Sequence, residues 1–100
     1  MTFHGIEINT DKIEAFCRNN GIRRLALFGS ILRNDFRPDS DVDVLVEFYP
    51  ERHVGLEFIR MQDELSVVFG RKVDLHTPGS LSRYFKQEVM GEAEELYVAA

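Results

Sequence analysis

Two aspartates at alternate positions of the segment DVDVLVEF, residues 41–48, constrain the fold more than any other feature of this chain. Successive side chains of a β-strand point to opposite faces, so Asp41 and Asp43 share one face with their backbones roughly 7 Å apart. The opposite face then carries Val42, Val44 and Val46. Two carboxylates this close repel each other unless a cation or a proton lies between them. The pattern therefore predicts a strand with one face in the core and the other at a charged site.

A glycine-serine pair, Gly29-Ser30, precedes the first of these aspartates by ten residues. The apolar segment 22–28 has the character of a buried strand, and a glycine at its end allows a sharp turn or a close approach to a ligand. Ser30 is expected to cap a short helix over residues 31–34. The free backbone N–H groups at such a start, together with the hydroxyl, form a small anion site. A nucleoside triphosphate is the natural ligand.

A third acid, Asp74, lies in the segment RKVDLH, residues 71–76, where alternation places it on one face with Lys72 and His76. If this strand pairs beside residues 42–46, the Asp74 carboxylate can bind a metal and accept a proton from an attacking hydroxyl. Carboxylates suit Mg²⁺ or Mn²⁺ better than Zn²⁺, and a pair of such ions typically serves in-line displacement at phosphorus. A metal site containing all three aspartates is the resulting hypothesis.

The remaining pattern predicts an α/β (α+β) domain in which helices flank a small mixed β-sheet. A first helix is expected to be capped by Thr10 and to bury Ile13, Phe16 and Cys17. Further helices are predicted over residues 55–69, with Gly70 as the C-cap, and around residues 81–89. Residues 91–98 are compatible with helix, strand or tail. Leu56, Ile59 and Val67 lie partly off the main apolar stripe of the second helix, which indicates either an exposed apolar patch for a partner or deeper burial, and burial is the default expectation.

Composition limits the class of protein. One hundred residues, 44% hydrophobic and 29% charged, predict a single globular domain over residues 1–100. No apolar stretch is long enough to span a bilayer and the start has no secretory signal, so a cytoplasmic location is expected. The net charge of −5 argues against bulk binding of nucleic acid through its phosphates. Cys17 is interpreted as a core residue, not a nucleophile.

The spacing of Gly29-Ser30, Asp41-x-Asp43 and the later Asp74 resembles the signature of the DNA polymerase beta-like nucleotidyltransferase superfamily, and within it the minimal nucleotidyltransferases. The resemblance implies that fold and the transfer of a nucleoside monophosphate, usually AMP from ATP, to a hydroxyl. It implies that Gly29 and Ser30 contact the phosphates, assisted by Arg33. It also implies that Asp41 and Asp43 bind two Mg²⁺ ions, with Mn²⁺ as a substitute, and that Asp74 binds one of them.

Many minimal nucleotidyltransferases resemble the antitoxins of toxin–antitoxin pairs, in which the partner is a helical HEPN ribonuclease that is silenced by AMP on a tyrosine. The resemblance implies such a toxin as the partner. The expected assembly is either a hetero-oligomer with the toxin or a homo-oligomer of this chain. Two alternatives stay open: an antitoxin that acts by binding alone, and a transferase of small molecules. Two positions depart from the family pattern, with Ile31 where a basic residue is common and Asn34 where glycine is common. His53 and His76 are interpreted as polar surface residues rather than metal ligands, and His4 as part of a loose terminus.

Overall fold

The computed structural model describes residues 2–99, so the ends of the predicted domain, Met1 and Ala100, lie outside the described part of the chain. Within this described part, three helices and six strands follow one another along the chain. The helices are α1 (Thr10–Asn19), α2 (Glu57–Phe69) and α3 (Arg83–Glu92). The strands are β1 (Thr2–Phe3), β2 (Ile6–Glu7), β3 (Ile22–Phe28), β4 (Val42–Phe48), β5 (Val73–His76) and β6 (Glu94–Val98). Short 3₁₀ turns occupy Gly29–Leu32 and Pro78–Ser80.

The main sheet has four strands in the order β5-β4-β3-β6 and is mixed in direction. Strand β3 pairs antiparallel with both β4 and β6, whereas β4 and β5 run parallel. The parallel pair is connected by α2, as a crossover between parallel strands requires. This arrangement confirms the predicted α/β (α+β) class. The C-terminal segment left open by the sequence is an edge strand, β6.

The two faces of the sheet differ in what they bury. Helices α1 and α2 cover one face and form the main core, which includes Val42, Val44 and Val46, each with 0% exposed surface. A smaller cluster on the other face joins Phe28 and Leu45 to Val89 of α3. The prediction that the β4 valines face the core is confirmed. Because side chains alternate along β4, Asp43 lies on the less covered face, the face of α3.

Several helix boundaries differ from the sequence-based predictions. Asn9, not Thr10, caps α1, and its side chain accepts hydrogen bonds from the N–H groups of Asp11 and Lys12. Asparagine is as good an N-cap as threonine, so the prediction was one residue late. The predicted helix over 31–34 is instead a 3₁₀ turn that begins at Gly29 and follows Phe28, so Ser30 is not its cap. Gly70 ends α2 in the left-handed conformation, as predicted.

The expectation that Leu56, Ile59 and Val67 are buried is wrong. Their exposed fractions are 86%, 62% and 82%. Helix α2 contacts the sheet through Met61, Leu65 and Phe69, which leaves the other three residues on its outer side. Apolar residues on a surface helix need not face the core, since polar residues are too few to cover a protein surface.

Cys17 is fully buried on α1, as predicted for a core residue. Burial raises the pKa of its thiol to about 12, so the reactive thiolate is scarce at neutral pH. Within residues 2–99 no helix combines the length and the apolar character needed to cross a membrane.

The outer edge of β5 is held by two side chains of α2. Ser66 Oγ accepts a hydrogen bond of 3.0 Å from the Val73 N–H, and Gln62 Oε1 accepts one of 2.9 Å from the Leu75 N–H. These donors alternate along β5, and the acceptors lie one helical turn apart on α2. Helix α2 therefore supplies hydrogen-bond acceptors for N–H groups at the open edge of the sheet. It also fixes the position of Asp74, which lies between the two contacts.

Replacing Gln62 by leucine is expected to lower the free energy of unfolding by about 1–3 kcal/mol, because the Leu75 N–H would lose its acceptor in a largely buried position. Urea unfolding followed by circular dichroism measures the change. The Gln62→Glu variant is the matched control, since it keeps a side-chain oxygen that can accept this bond. A leucine variant as stable as the wild type would contradict the assigned role.

Candidate active site

Strand pairing brings two of the three predicted aspartates together. In the parallel pair β4 and β5, Asp43 lies directly opposite Asp74, and Leu45 lies opposite His76. The sequence had left this pairing as a condition, and the structure fulfils it. The register therefore places the Asp43 and Asp74 carboxylates side by side on the face of α3.

His76 completes this group, although sequence reasoning had taken it for a polar surface residue. Its Nε2 atom lies 3.2 Å from Asp74 Oδ2 and 3.7 Å from Asp43 Oδ1. One donor atom from each of the three residues lies within 4.8 Å of the others. The alternation of β5 had placed His76 on the face of Asp74, and that was the signal available in the sequence.

Asp41 lies at the margin of this group. It precedes the first residue of β4 and is not itself in the strand, which corrects the expectation that all three acids lie on strands. Its side chain is 41% exposed, and its Oδ2 atom is 3.8 Å from the Lys72 ammonium. No carboxylate oxygen of Asp41 belongs to the cluster formed by Asp43, Asp74 and His76. The structure therefore brings two of the predicted metal ligands together and leaves the third beside them.

The charge state of Asp43 reflects this crowding. Burial raises the pKa of its carboxyl above the ordinary value, and the carboxylates of Asp74 and Asp41 raise it further, while His76 acts in the opposite direction. A raised pKa means that the protein stabilises the negatively charged carboxylate less well than water does. A bound cation would supply the missing positive charge.

Gly29 lies against the Asp43 carboxylate. Its φ of +78° belongs to the left-handed region, and a Cβ atom at this position would overlap Asp43 Oδ2 and come within 3.2 Å of Cγ. The same approach is set by the sheet, in which Phe28 pairs with Asp43. Glycine is therefore required twice, for its backbone conformation and for the space that the carboxylate occupies.

Ser30 and Arg33 belong to the turn that starts at Gly29. Ser30 is partly buried, and its carbonyl accepts a 2.9 Å hydrogen bond from the Arg33 N–H. The Arg33 side chain is exposed. The structure thus places the predicted phosphate-contacting turn beside Asp43, with the exposed Arg33 side chain at its end.

A cavity of about 570 Å³ lies on the other side of the cluster, towards the β5 edge. Asp74 and His76 line it together with an apolar wall from β4, β5, α2 and the loop between β4 and α2. That wall consists of Phe48, Val54, Phe58 and Leu75. Arg52, Thr77 and Ser80 add polar groups. The volume is in the range of pockets that hold small molecules or single side chains.

The donor set fits a divalent cation. Two carboxylates supply the oxygen ligands that Mg²⁺ and Mn²⁺ prefer. His76 Nε2 is buried, and no group among residues 2–99 makes a hydrogen bond of good geometry with it. A buried polar atom without such a bond is rare in proteins and requires an explanation. A metal ion beside the carboxylates would provide one.

The nucleotidyltransferase domain family model matches residues 11–96, which include every residue of this site. The chain belongs to this family. Among its relatives, the protein adenylyltransferase MntA of Thermococcus cleftensis is 38% identical over 72 residues, which cover 72% of this chain and 72% of that protein. The predicted membership of the nucleotidyltransferases is thereby confirmed.

Solved structures of this family share the fold. A toxin–antitoxin crystal structure with AMP-PNP superposes with a TM-score of 0.73 at 23% identity, covering 92% of this chain and 75% of that chain. A complex of a tri-AMPylated Shewanella oneidensis HEPN toxin with its MNT antitoxin gives a TM-score of 0.65 at 22% identity, covering 90% and 70%. These likenesses confirm the predicted nucleotidyltransferase fold.

Proposed function

We propose that this nucleotidyltransferase is an Mg²⁺-dependent protein adenylyltransferase that moves AMP from ATP to a tyrosine hydroxyl of a HEPN-type toxin, and so acts as its antitoxin in the cytoplasm. One observation carries the proposal: Asp43, Asp74 and the Gly29 turn meet at one end of the sheet. A protein acceptor is supported by the relative named a protein adenylyltransferase. A toxin is supported by the complex with an AMPylated HEPN toxin.

Each residue of the site has a role in this reaction. Gly29 and Ser30 hold the β- and γ-phosphates, with Arg33 closing over them. Asp41 and Asp43 would hold two Mg²⁺ ions, or Mn²⁺, and Asp74 would hold one of them. When bound there, the metal ions would offset negative charge on the phosphates. The acceptor oxygen bonds to the α-phosphorus, the bond to pyrophosphate breaks, and Asp74 takes the hydroxyl proton.

The strand order indicates from which side of the site the acceptor reaches the nucleotide. The phosphate turn follows β3, Asp43 lies on β4 and Asp74 on β5, so the site extends across the sheet from β3 to its β5 edge. In-line displacement requires the acceptor to approach from the side opposite the leaving pyrophosphate. The acceptor therefore enters from the β5 side, where the cavity lined by Asp74 and Phe58 offers an apolar wall for a tyrosine ring.

A larger side chain in this cavity is expected to hinder binding of the acceptor and to leave binding of the nucleotide unchanged. In the Val54→Trp variant, the rate of AMP transfer should fall at least about tenfold through a raised KM for the acceptor, while ATP binding stays unchanged. Val67→Trp is the matched control, because Val67 is 82% exposed on the outer side of α2. If Val54→Trp weakened ATP binding and left the KM for the acceptor unchanged, the cavity would instead belong to the nucleotide.

The overall function is tested with labelled ATP, Mg²⁺ and a HEPN-type toxin co-expressed with this chain as the candidate acceptor. The expected result is label on the toxin, release of pyrophosphate and loss of its ribonuclease activity. Label on an added small-molecule hydroxyl compound, with none on the toxin, would favour a small-molecule transferase. Loss of ribonuclease activity with no label anywhere would favour inhibition by binding alone.

A further inference from the structure

His76 lies in the acidic cluster, but its Nε2 atom makes no hydrogen bond of good geometry with any group among residues 2–99. Its Nε2 atom is buried and faces Asp74 Oδ2 at 3.2 Å and Asp43 Oδ1 at 3.7 Å, yet neither contact is a hydrogen bond of good geometry. The three expected aspartates of the family signature do not account for this imidazole. Its position within the acidic cluster therefore calls for a role of its own.

The ring is held in place from two directions. The Phe28 ring packs edge-on against it, with centroids 5.2 Å apart and an interplanar angle of 69°. Strand β5 is fixed next to it by the bond from the Leu75 N–H to Gln62. An imidazole held by packing and by its strand is preorganised, so little conformational entropy is lost when its nitrogen binds an ion.

The spacing of the donor atoms suits one coordination shell. Donor atoms at roughly 2.0–2.2 Å from one ion lie at most about 4.4 Å apart. The chosen atoms of Asp43, Asp74 and His76 all lie within 4.8 Å of one another, so a small side-chain movement brings them onto a single ion. The cluster therefore offers two oxygens and one nitrogen.

We propose that His76 is a nitrogen ligand of the cation held by Asp43 and Asp74, and that it gives this site a preference for Mn²⁺ over Mg²⁺. The inference rests on the proposed function, which places a divalent cation here. Imidazole suits transition-metal ions, whereas Mg²⁺ is bound mainly through oxygen and water. Because Mn²⁺ accepts oxygen ligands as well, a mixed set favours it over Mg²⁺.

Pulsed electron paramagnetic resonance of the protein with Mn²⁺ and a non-hydrolysable ATP analogue tests this directly. Coupling of Mn²⁺ to a directly bound ¹⁴N is expected, and labelling of histidine with ¹⁵N should change it to the ¹⁵N pattern. The coupling should be lost in His76→Gln and kept in His53→Gln, whose histidine lies exposed in the loop before α2. The ratio of Mn²⁺ to Mg²⁺ affinity should fall about tenfold in His76→Gln.

Absence of bound Mn²⁺, bound Mn²⁺ without nitrogen coupling, or an unchanged affinity ratio in His76→Gln would each overturn the proposal. The ¹⁵N-histidine experiment uses the wild-type chain, so it decides the question even if His76→Gln does not fold. The measurement needs no acceptor and is therefore independent of transfer. Nitrogen coordination without AMP transfer would overturn only the function, and transfer without nitrogen coordination would overturn only the role of His76.

Discussion

Replacing Asp41 and Asp43 together by alanine is expected to lower the rate of AMP transfer at least about a thousandfold, because the metal ions that offset the charge of the phosphates would lose two of their carboxylate ligands. Transfer of label from ATP to the toxin measures the rate. Asp39→Ala is the matched control. Asp39 is exposed in the loop before β4, which also contains Asp41, and it does not belong to the cluster of Asp43, Asp74 and His76. It should transfer AMP at the wild-type rate.

The fold should survive the double substitution. Asp43 carries a raised pKa through burial and neighbouring carboxylates, so its charge does not stabilise the metal-free protein. Circular dichroism and binding of the toxin should therefore be retained while transfer is lost. A double variant that transfers AMP at an undiminished rate would contradict the assignment of the site. A double variant that still silences the toxin fully would show that inhibition needs only binding.

Replacing Gly29 by alanine is expected to reduce both stability and transfer. The left-handed backbone at Gly29 costs about 1–2 kcal/mol for a residue with a Cβ, and this Cβ would overlap the Asp43 carboxylate. Displacement of a reacting group by about 1 Å can cost about a hundredfold in rate. Thermal unfolding and the label-transfer assay measure the two effects.

Gly70→Ala separates the two causes. Gly70 has a similar φ of +71°, but a Cβ there meets nothing within 4 Å. This variant should lose a comparable amount of stability and keep its transfer rate, because only the backbone conformation is disturbed. If Gly29→Ala transferred AMP as fast as Gly70→Ala, the contact between Gly29 and Asp43 would have no part in catalysis.

Local patterns were sufficient to predict the helices, the central strands and the α/β (α+β) class, but not every strand pairing. The alternation along β4 placed Val42, Val44 and Val46 in the core and Asp43 on the opposite face, and the structure agrees. The parallel pairing of β5 with β4 could be stated from sequence only as a condition, because nothing in a strand of four residues specifies its neighbour. Segment 94–98 stayed undecided for the same reason, since its strand character depends on pairing with β3.

The candidate site was predicted less completely than the fold. Asp43, Asp74 and Gly29 meet as the spacing implied, but Asp41 lies at the margin, because it stands one residue before the start of β4. His76 was missed because alternation gives the face of a residue but not its distance from groups on another strand. Leu56 was placed wrongly because burial was assumed for an apolar residue, although the periodicity put it off the stripe that meets the sheet.

Transfer of AMP from ATP to a partner protein is decided by comparing ATP labelled at the α-phosphate with ATP labelled at the γ-phosphate. With the toxin and Mg²⁺ present, we expect the α label to enter the toxin and the γ label to leave as pyrophosphate. Entry of the γ label into the toxin, or the absence of both labels from it, would rule out AMP transfer.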